Sequence, residues 1–263
     1  MAVWQDFELD CTDYLNDVFG TYAHFEHQGG SDSTVADIKV KTRSGRLFYI
    51  DAKHCPAQCG QFVLLPDVSS RTFIYSDLNV NRINEYAIMI MDYMNEYFDE
   101  FREAGTAGKD IDMKNGPQIF SNWIAQIYKE KGAEYFITND YRIIHIEDII
   151  QYFNISAKYR IKRSGSGNVG TSRISLIANV IKSMDCGVVN FRNDGEKLFV
   201  KSDYELHNKR FVYGGYEYMF SKRGAEYEIR KLSNTYNANV IFSIDLKSNK
   251  NGISEEEFIN RLK

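Results

Sequence analysis

Two aspartates and a lysine within residues 37–53 carry the strongest chemical signal in the chain. Thirteen residues separate Asp37 from Asp51, and Lys53 follows two positions later. The runs around them, "ADIKVKT" and "LFYIDAK", alternate apolar and polar residues with the period of a strand. Phe48, Ile50 and Ala52 share one face, and Tyr49, Asp51 and Lys53 the other. The intervening "RSG" suits a three-residue hairpin loop with Gly45 in the left-handed position. Closing the hairpin there opposes Thr42 to Arg46, Val40 to Phe48, Ile38 to Ile50 and Asp37 to Asp51, like with like throughout. Opposed side chains lie roughly 5 Å apart, so two carboxylates repel unless a cation sits between them. Hard oxygen donors with positions left for water or substrate suit Mg²⁺, and the Ala52 carbonyl adds another candidate ligand. Lys53 could orient an attacking water or neutralise charge on a pentacovalent phosphate. This pattern reads as a site for metal-dependent phosphodiester hydrolysis. The competing reading is an ordinary hairpin whose polar face meets solvent.

The surrounding elements must position that hairpin. Residues 3–19 place Trp4, Phe7, Cys11, Leu15 and Val18 on one helical face, with Gly20 as the stop. "YAHFEHQ" reads as a strand leading into the hairpin. A long helix is predicted over 81–103, a loop over "TAGKDIDMKNGP", and a second helix over "PQIFSNWIAQIYKEKG" with Pro117 near its start. "EYFIT" reads as a strand and "IEDIIQYFNI" as a short helix. Glu8 borders the apolar stripe of the first helix, where it either reaches the sheet edge or merely favours the helix dipole.

Asp37, the 13-residue spacer and "Asp51-Ala52-Lys53" at the end of an apolar strand resemble the PD-(D/E)xK nuclease superfamily. The upstream "GGSDST" and downstream "QCGQF" are similar to restriction endonucleases and archaeal Holliday-junction resolvases. Ala36 stands where the motif's name has proline. Helix, three strands, helix, strand is that superfamily's core order, and the resemblance covers roughly residues 1–150. It implies an α/β restriction-endonuclease-like core, a central mixed sheet flanked by helices, with Asp37, Asp51 and Lys53 catalytic. It also implies that Asp37, Asp51 and Ala52 hold Mg²⁺, that a glutamate joins the site (Glu8, with Glu26 the rival), and that a glutamine follows, Gln61 matching better than Gln58.

The chain has 263 residues, 43% of them hydrophobic, enough for one large domain or two small ones. It shows no apolar run of membrane-span length and no basic-then-apolar leader, which gives a cytoplasmic expectation. "HCPAQC" lacks a standard zinc spacing, so its cysteines read as reduced thiols. The net charge of −4 argues against a general polyanion binder until it is divided along the chain. Residues 156–247 hold 16 Lys/Arg against 9 Asp/Glu, and the remainder is acidic. In that basic part, "KYRIKRSGSGNVGTSR" suits close approach to phosphates. "YEIRKLSNTYNANVIFSI" supplies side chains that read base edges. The bland alternative is a solvated basic face with turns.

These stretches are similar to the recognition region of small type II restriction enzymes. The resemblance implies a catalytic core over 1–155 and a basic, strand-rich DNA-recognition region over 156–263; the sequence shows no clean linker between them, so the two are expected to pack as one body. Lys162, Arg163, Ser164 and Arg173 are the expected phosphate contacts; Arg230, Lys231, Asn234 and Asn237 include the expected base readers. The partner is double-stranded DNA, and the resemblance further implies a cognate DNA methyltransferase in the same host and allows a homodimer. The leading function is a sequence-specific, Mg²⁺-dependent endonuclease of restriction type. The alternatives are a structure-specific repair or Holliday-junction nuclease, and a non-catalytic DNA-binding module.

Overall fold

The computed structural model describes residues 3–28, 35–163, 166–233, 236–248 and 250–263, with backbone alone at 3–5, 162–163 and 236–237. The chain divides into two compact units, Met1–Arg160 with Ala238–Lys263, and Ile161–Asn237.

In the first unit, helix α1 (Val3–Phe19) packs on a sheet begun by β1 (Ala23–His27), β2 (Ile38–Thr42) and β3 (Leu47–Lys53). The hairpin has the expected register, Ile38 opposite Ile50 and Val40 opposite Phe48. The Thr42 amide donates to the Arg46 carbonyl at 3.0 Å, and Gly45 takes φ 89°. The alternating apolar residues Ile38, Val40, Phe48 and Ile50 all enter the core. The buried face of α1 is rotated from the expected stripe: Glu8, Cys11, Thr12, Leu15 and Phe19 are buried, while Val18 is exposed.

After β3 the chain builds a second sheet before completing the first. It forms β4 (Ala57–Asp67), β5 (Thr72–Tyr75), α2 (Glu85–Glu96), α3 (Phe98–Arg102), β6 (Lys109–Asp110) and α4 (Gly116–Glu130). The long helix expected over 81–103 is therefore shorter and broken. Asn84 caps α2 by accepting from the Ala87 amide, and the break at Tyr97 lets Phe98 and Phe101 both turn inward against Phe73 and Tyr159. Then β7 (Ala133–Thr138) pairs parallel to β3, and β8 (Ile143–His145) closes the first sheet in the order β1-β2-β3-β7-β8. A short α5 (Ile149–Tyr152) leads into β9 (Phe153–Arg163).

The second unit carries β10 (Ser166–Gly167), α6 (Ile174–Ser183), β11 (Val188–Asp194), β12 (Lys197–Ser202), β13 (Arg210–Tyr213), β14 (Tyr216–Arg223) and β15 (Glu226–Leu232). Its antiparallel sheet, β11-β12-β15-β14-β13, buries Leu198, Val200, Tyr218, Phe220 and Ile229 against Ile174, Ile177 and Ile181 of α6. This part is strand-rich, as expected; α6 has no counterpart in the sequence reading.

The chain then returns. Strand β16 (Tyr236–Leu246) pairs with β4, giving the second sheet the order β5-β4-β16-β9-β6. Helix α7 (Glu255–Leu262) places Phe258 and Leu262 in the core under α1. The division expected after residue 155 thus differs from the observed one: residues 238–263 belong with the first unit, because their apolar surface is covered there. Helix α4 lies between the sheets of that unit. Trp123 stacks on Phe242 of β16 at 4.3 Å, and Tyr128 meets Phe136 of β7 edge-on. No described helix is long and apolar enough to cross a membrane.

Candidate active site

The strand alternation that buries Ile50 and Ala52 turns Asp51 and Lys53 to the opposite side of β3. There Asp51 is 4% exposed and forms an ion pair with the Lys53 ammonium. Asp37, just before β2, comes to the same place: its Oδ2 accepts a hydrogen bond from the Ala52 amide at 2.8 Å. Burial first, and the Asp51 charge second, push Asp37 up to about 7, against a smaller opposing effect of Lys53. Burial works to lower Lys53, but the charge of Asp51, helped by Tyr128, Cys59 and Asp37, holds it well above the ordinary lysine range. The result is a carboxylate pair, Asp51 buried and Asp37 half-buried, with one ammonium.

Glu8 reaches this pair from α1. It is 8% exposed, it adds to the raising of Asp37, and its Oε2 lies 3.1 Å from His27 Nε2. Glu26, the rival acid, is exposed on β1 opposite Lys39. Gln61 sits on β4, its amide oxygen accepting from Gln58 at 3.2 Å and Asn239 at 3.3 Å. The structure therefore brings Asp37, Asp51, Ala52 and Lys53 together with Glu8 beside them, and it gives Gln61 to an amide cluster on the second sheet. Sequence reasoning missed Asn139. Its Oδ1 accepts from the Cys55 amide at 2.7 Å and its Nδ2 donates to the Cys55 carbonyl at 3.1 Å, which pins the chain just beyond Lys53. Nothing in its spacing marks it, since the contact spans two strand ends 84 residues apart.

The donor set fits a hard divalent cation. Among the described residues no group of three or more His, Cys, Asp or Glu side chains is disposed to hold a metal. Two carboxylates and a backbone carbonyl remain, an oxygen set of the kind Mg²⁺ completes with water or substrate oxygens. Asp51 Oδ2 is buried and accepts no well-directed hydrogen bond, its ion pair with Lys53 aside. Two carboxylates brought this close, one of them buried, are relieved by added positive charge.

The expected DNA-contacting residues lie in or beside the second unit. Arg173 lies over the Tyr216 ring at 4.5 Å, with its Nη1 3.4 Å from the Tyr218 hydroxyl, and Lys231 Nζ lies 3.6 Å from the centre of the same Tyr216 ring. Arg230 is differently placed. Its Nη1 donates to buried Glu228 at 2.5 Å and to Asn168 at 3.1 Å, its Nε to the Ser166 hydroxyl at 3.1 Å, and its Nη2 to the Ser166 carbonyl. Every guanidinium nitrogen is engaged within the unit, so Arg230 as placed holds β10 against β15 instead of presenting a free fork. Ser164 and Asn234, and the side chains of Lys162, Arg163 and Asn237, lie outside the described residues, as does the "GGSDST" segment.

No family model matches the chain, and no curated protein does. Among solved structures, HhaI endonuclease in complex with DNA matches with a TM-score of 0.67 and 37% identity, over 98% of this chain and 95% of that one. The likeness spans both units, and the architecture, a mixed central sheet with flanking helices, is that of a restriction endonuclease. By sequence identity and coverage alike, the chain belongs to the family of HhaI endonuclease.

Proposed function

We propose that the protein is a sequence-specific endonuclease of double-stranded DNA, of restriction type, hydrolysing phosphodiester bonds with Mg²⁺. The observation that carries this reading is the Asp37–Asp51–Lys53 group, of PD-(D/E)xK type and gathered around buried Asp51, in a chain of this family. Asp37, Asp51 and the Ala52 carbonyl would hold the cation, which when bound supplies Lewis acidity to the scissile phosphate and to the attacking water. The Ala52 amide fixes the orientation of Asp37, so the pair is preorganised by the hairpin itself. Lys53, kept cationic by Asp51, orients the water and offsets charge developing on phosphorus. Glu8 acts through its proximity to Asp37, with His27 holding its carboxylate.

On the second unit, Arg173 contacts the DNA backbone and Lys231 reads base edges, the charge of each braced on Tyr216. Arg230 positions the Ser166–Asn168 segment. The test is a digest of a sequenced phage genome in Mg²⁺ with the ends mapped. Discrete fragments sharing one short sequence at their termini are expected. Preference for branched DNA would move the reading to a structure-specific nuclease, and no cleavage under any divalent metal would refute it.

A further inference from the structure

We propose that Tyr128 and Phe136 form an aromatic corner that positions the Lys53 ammonium independently of its ion pair with Asp51. This rests on the reading of Lys53 as a catalytic residue. The Lys53 Nζ lies 5.0 Å from the centre of the Tyr128 ring, whose hydroxyl also accepts a hydrogen bond from it, and 5.7 Å from that of Phe136. The two rings meet at 89° with centres 4.9 Å apart, so they build a corner against which the ammonium sits. Both are buried, Tyr128 at 5% exposure and Phe136 at 0%, and the Lys53 side chain is 12% exposed. The corner is assembled from separate elements, Tyr128 from α4 and Phe136 from β7, where it pairs with Asp51.

A π face carries negative charge and attracts a cation most strongly where water is excluded. The need for it follows from the site's own chemistry. When Asp51, and Asp37 beside it, turn their charge toward a divalent cation, the lysine loses part of its anionic support and gains a repulsive neighbour. A flexible four-carbon side chain would then swing away, unless something else holds it. The two rings bear no charge to be captured by a metal, so their hold persists. Tyr128 and Phe136 are therefore positioning residues acting through Lys53.

The test uses the full-length protein and the variants Tyr128→Phe, Tyr128→Leu and Phe136→Leu. Tyr128→Phe keeps the ring face and should retain kcat within about threefold. Tyr128→Leu should lower kcat by roughly tenfold to a hundredfold with KM nearly unchanged, the scale of a small misplacement of a reacting group. In ¹³C-lysine-labelled wild type, the Lys53 ε-methylene, assigned by its loss in Lys53→Ala, should show an upfield ring-current shift. Tyr128→Leu or Phe136→Leu should return it toward the free-lysine position. An unshifted Lys53 resonance in wild type overturns the proposal, and so does a Tyr128→Leu enzyme with wild-type kcat. Equal losses in Tyr128→Phe and Tyr128→Leu would assign the effect to the hydroxyl and also overturn it. If Tyr128→Leu does not fold, the wild-type shift and Phe136→Leu decide the matter. A wild-type protein that shows the shift but cleaves no DNA would refute the endonuclease reading while leaving the corner in place.

Discussion

Replacing Asp37 by asparagine in the metal-free protein tests whether the hairpin forces two carboxylates together. Asp37 sits at about 7 in the fold against an ordinary value of 3.8, through burial and through the Asp51 charge. Because the folded-state value is the higher, the fold binds this proton more tightly than the unfolded chain does. Stability is therefore full below the unfolded value and is lost as pH rises from about 4 through about 7. Each pKa unit corresponds to about 1.4 kcal/mol, so the gap sets a ceiling of about 4 kcal/mol of destabilisation at pH 8. Asp37→Asn removes the charge and keeps an oxygen able to accept the Ala52 amide hydrogen. With about 2–4 °C per kcal/mol for a chain of this size, the metal-free variant should melt above wild type at pH 8 by up to roughly 8–16 °C. At pH 5 less than half of that gain should remain. Mg²⁺ should raise the melting temperature of wild type and barely move the variant, while cleavage is lost in the variant. The measurement is thermal unfolding by circular dichroism across pH, with and without Mg²⁺. A variant less stable than wild type at pH 8, or a difference that does not vary with pH, would refute the argument.

Asp51→Ala and Lys53→Ala should each abolish Mg²⁺-dependent plasmid cleavage while DNA binding in Ca²⁺ persists in a gel shift; full activity in either would sink the assignment. Glu8→Gln should give a smaller loss of rate, since Glu8 bears on Asp37 from outside the hairpin, and an unchanged rate would remove it from the site. Arg173→Ala should weaken binding on all sequences alike and reduce the salt slope by about 0.9 per lost phosphate contact, whereas Lys231→Ala should relax cleavage at near-cognate sites, and a merely uniform loss of affinity would make Lys231 a phosphate contact. Arg230→Ala should cost about 3 kcal/mol of stability in the second unit, because it strips a partner from Glu228, which is 4% exposed. Unchanged thermal unfolding would show that Arg223, 2.9 Å from the same carboxylate, suffices.

The hairpin was legible in the sequence because it is local. A period of two, a three-residue loop and a glycine at its left-handed position leave one register that matches apolar with apolar. That register carries Asp37 to Ala52 and turns Asp51 and Lys53 to one side. The basic, strand-rich character of the second unit was legible for the same reason, being a property of composition and alternation.

Tertiary structure decided the rest. The second sheet joins β4 to β16, so Gln61 faces Ile241 in a pairing no local pattern announces. That pairing, with α7 completing the core, returns residues 238–263 to the first unit. Glu8 became a buried neighbour of Asp37 because packing rotated α1 away from Val18, a choice between helical faces that periodicity leaves open. Arg230 looked like a free guanidinium until a buried carboxylate two residues away and the Ser166–Asn168 segment claimed its nitrogens. Burial itself is the common cause. A charge or an apolar side chain is disposed of by whatever surface comes to cover it, and that surface comes from residues distant in the chain.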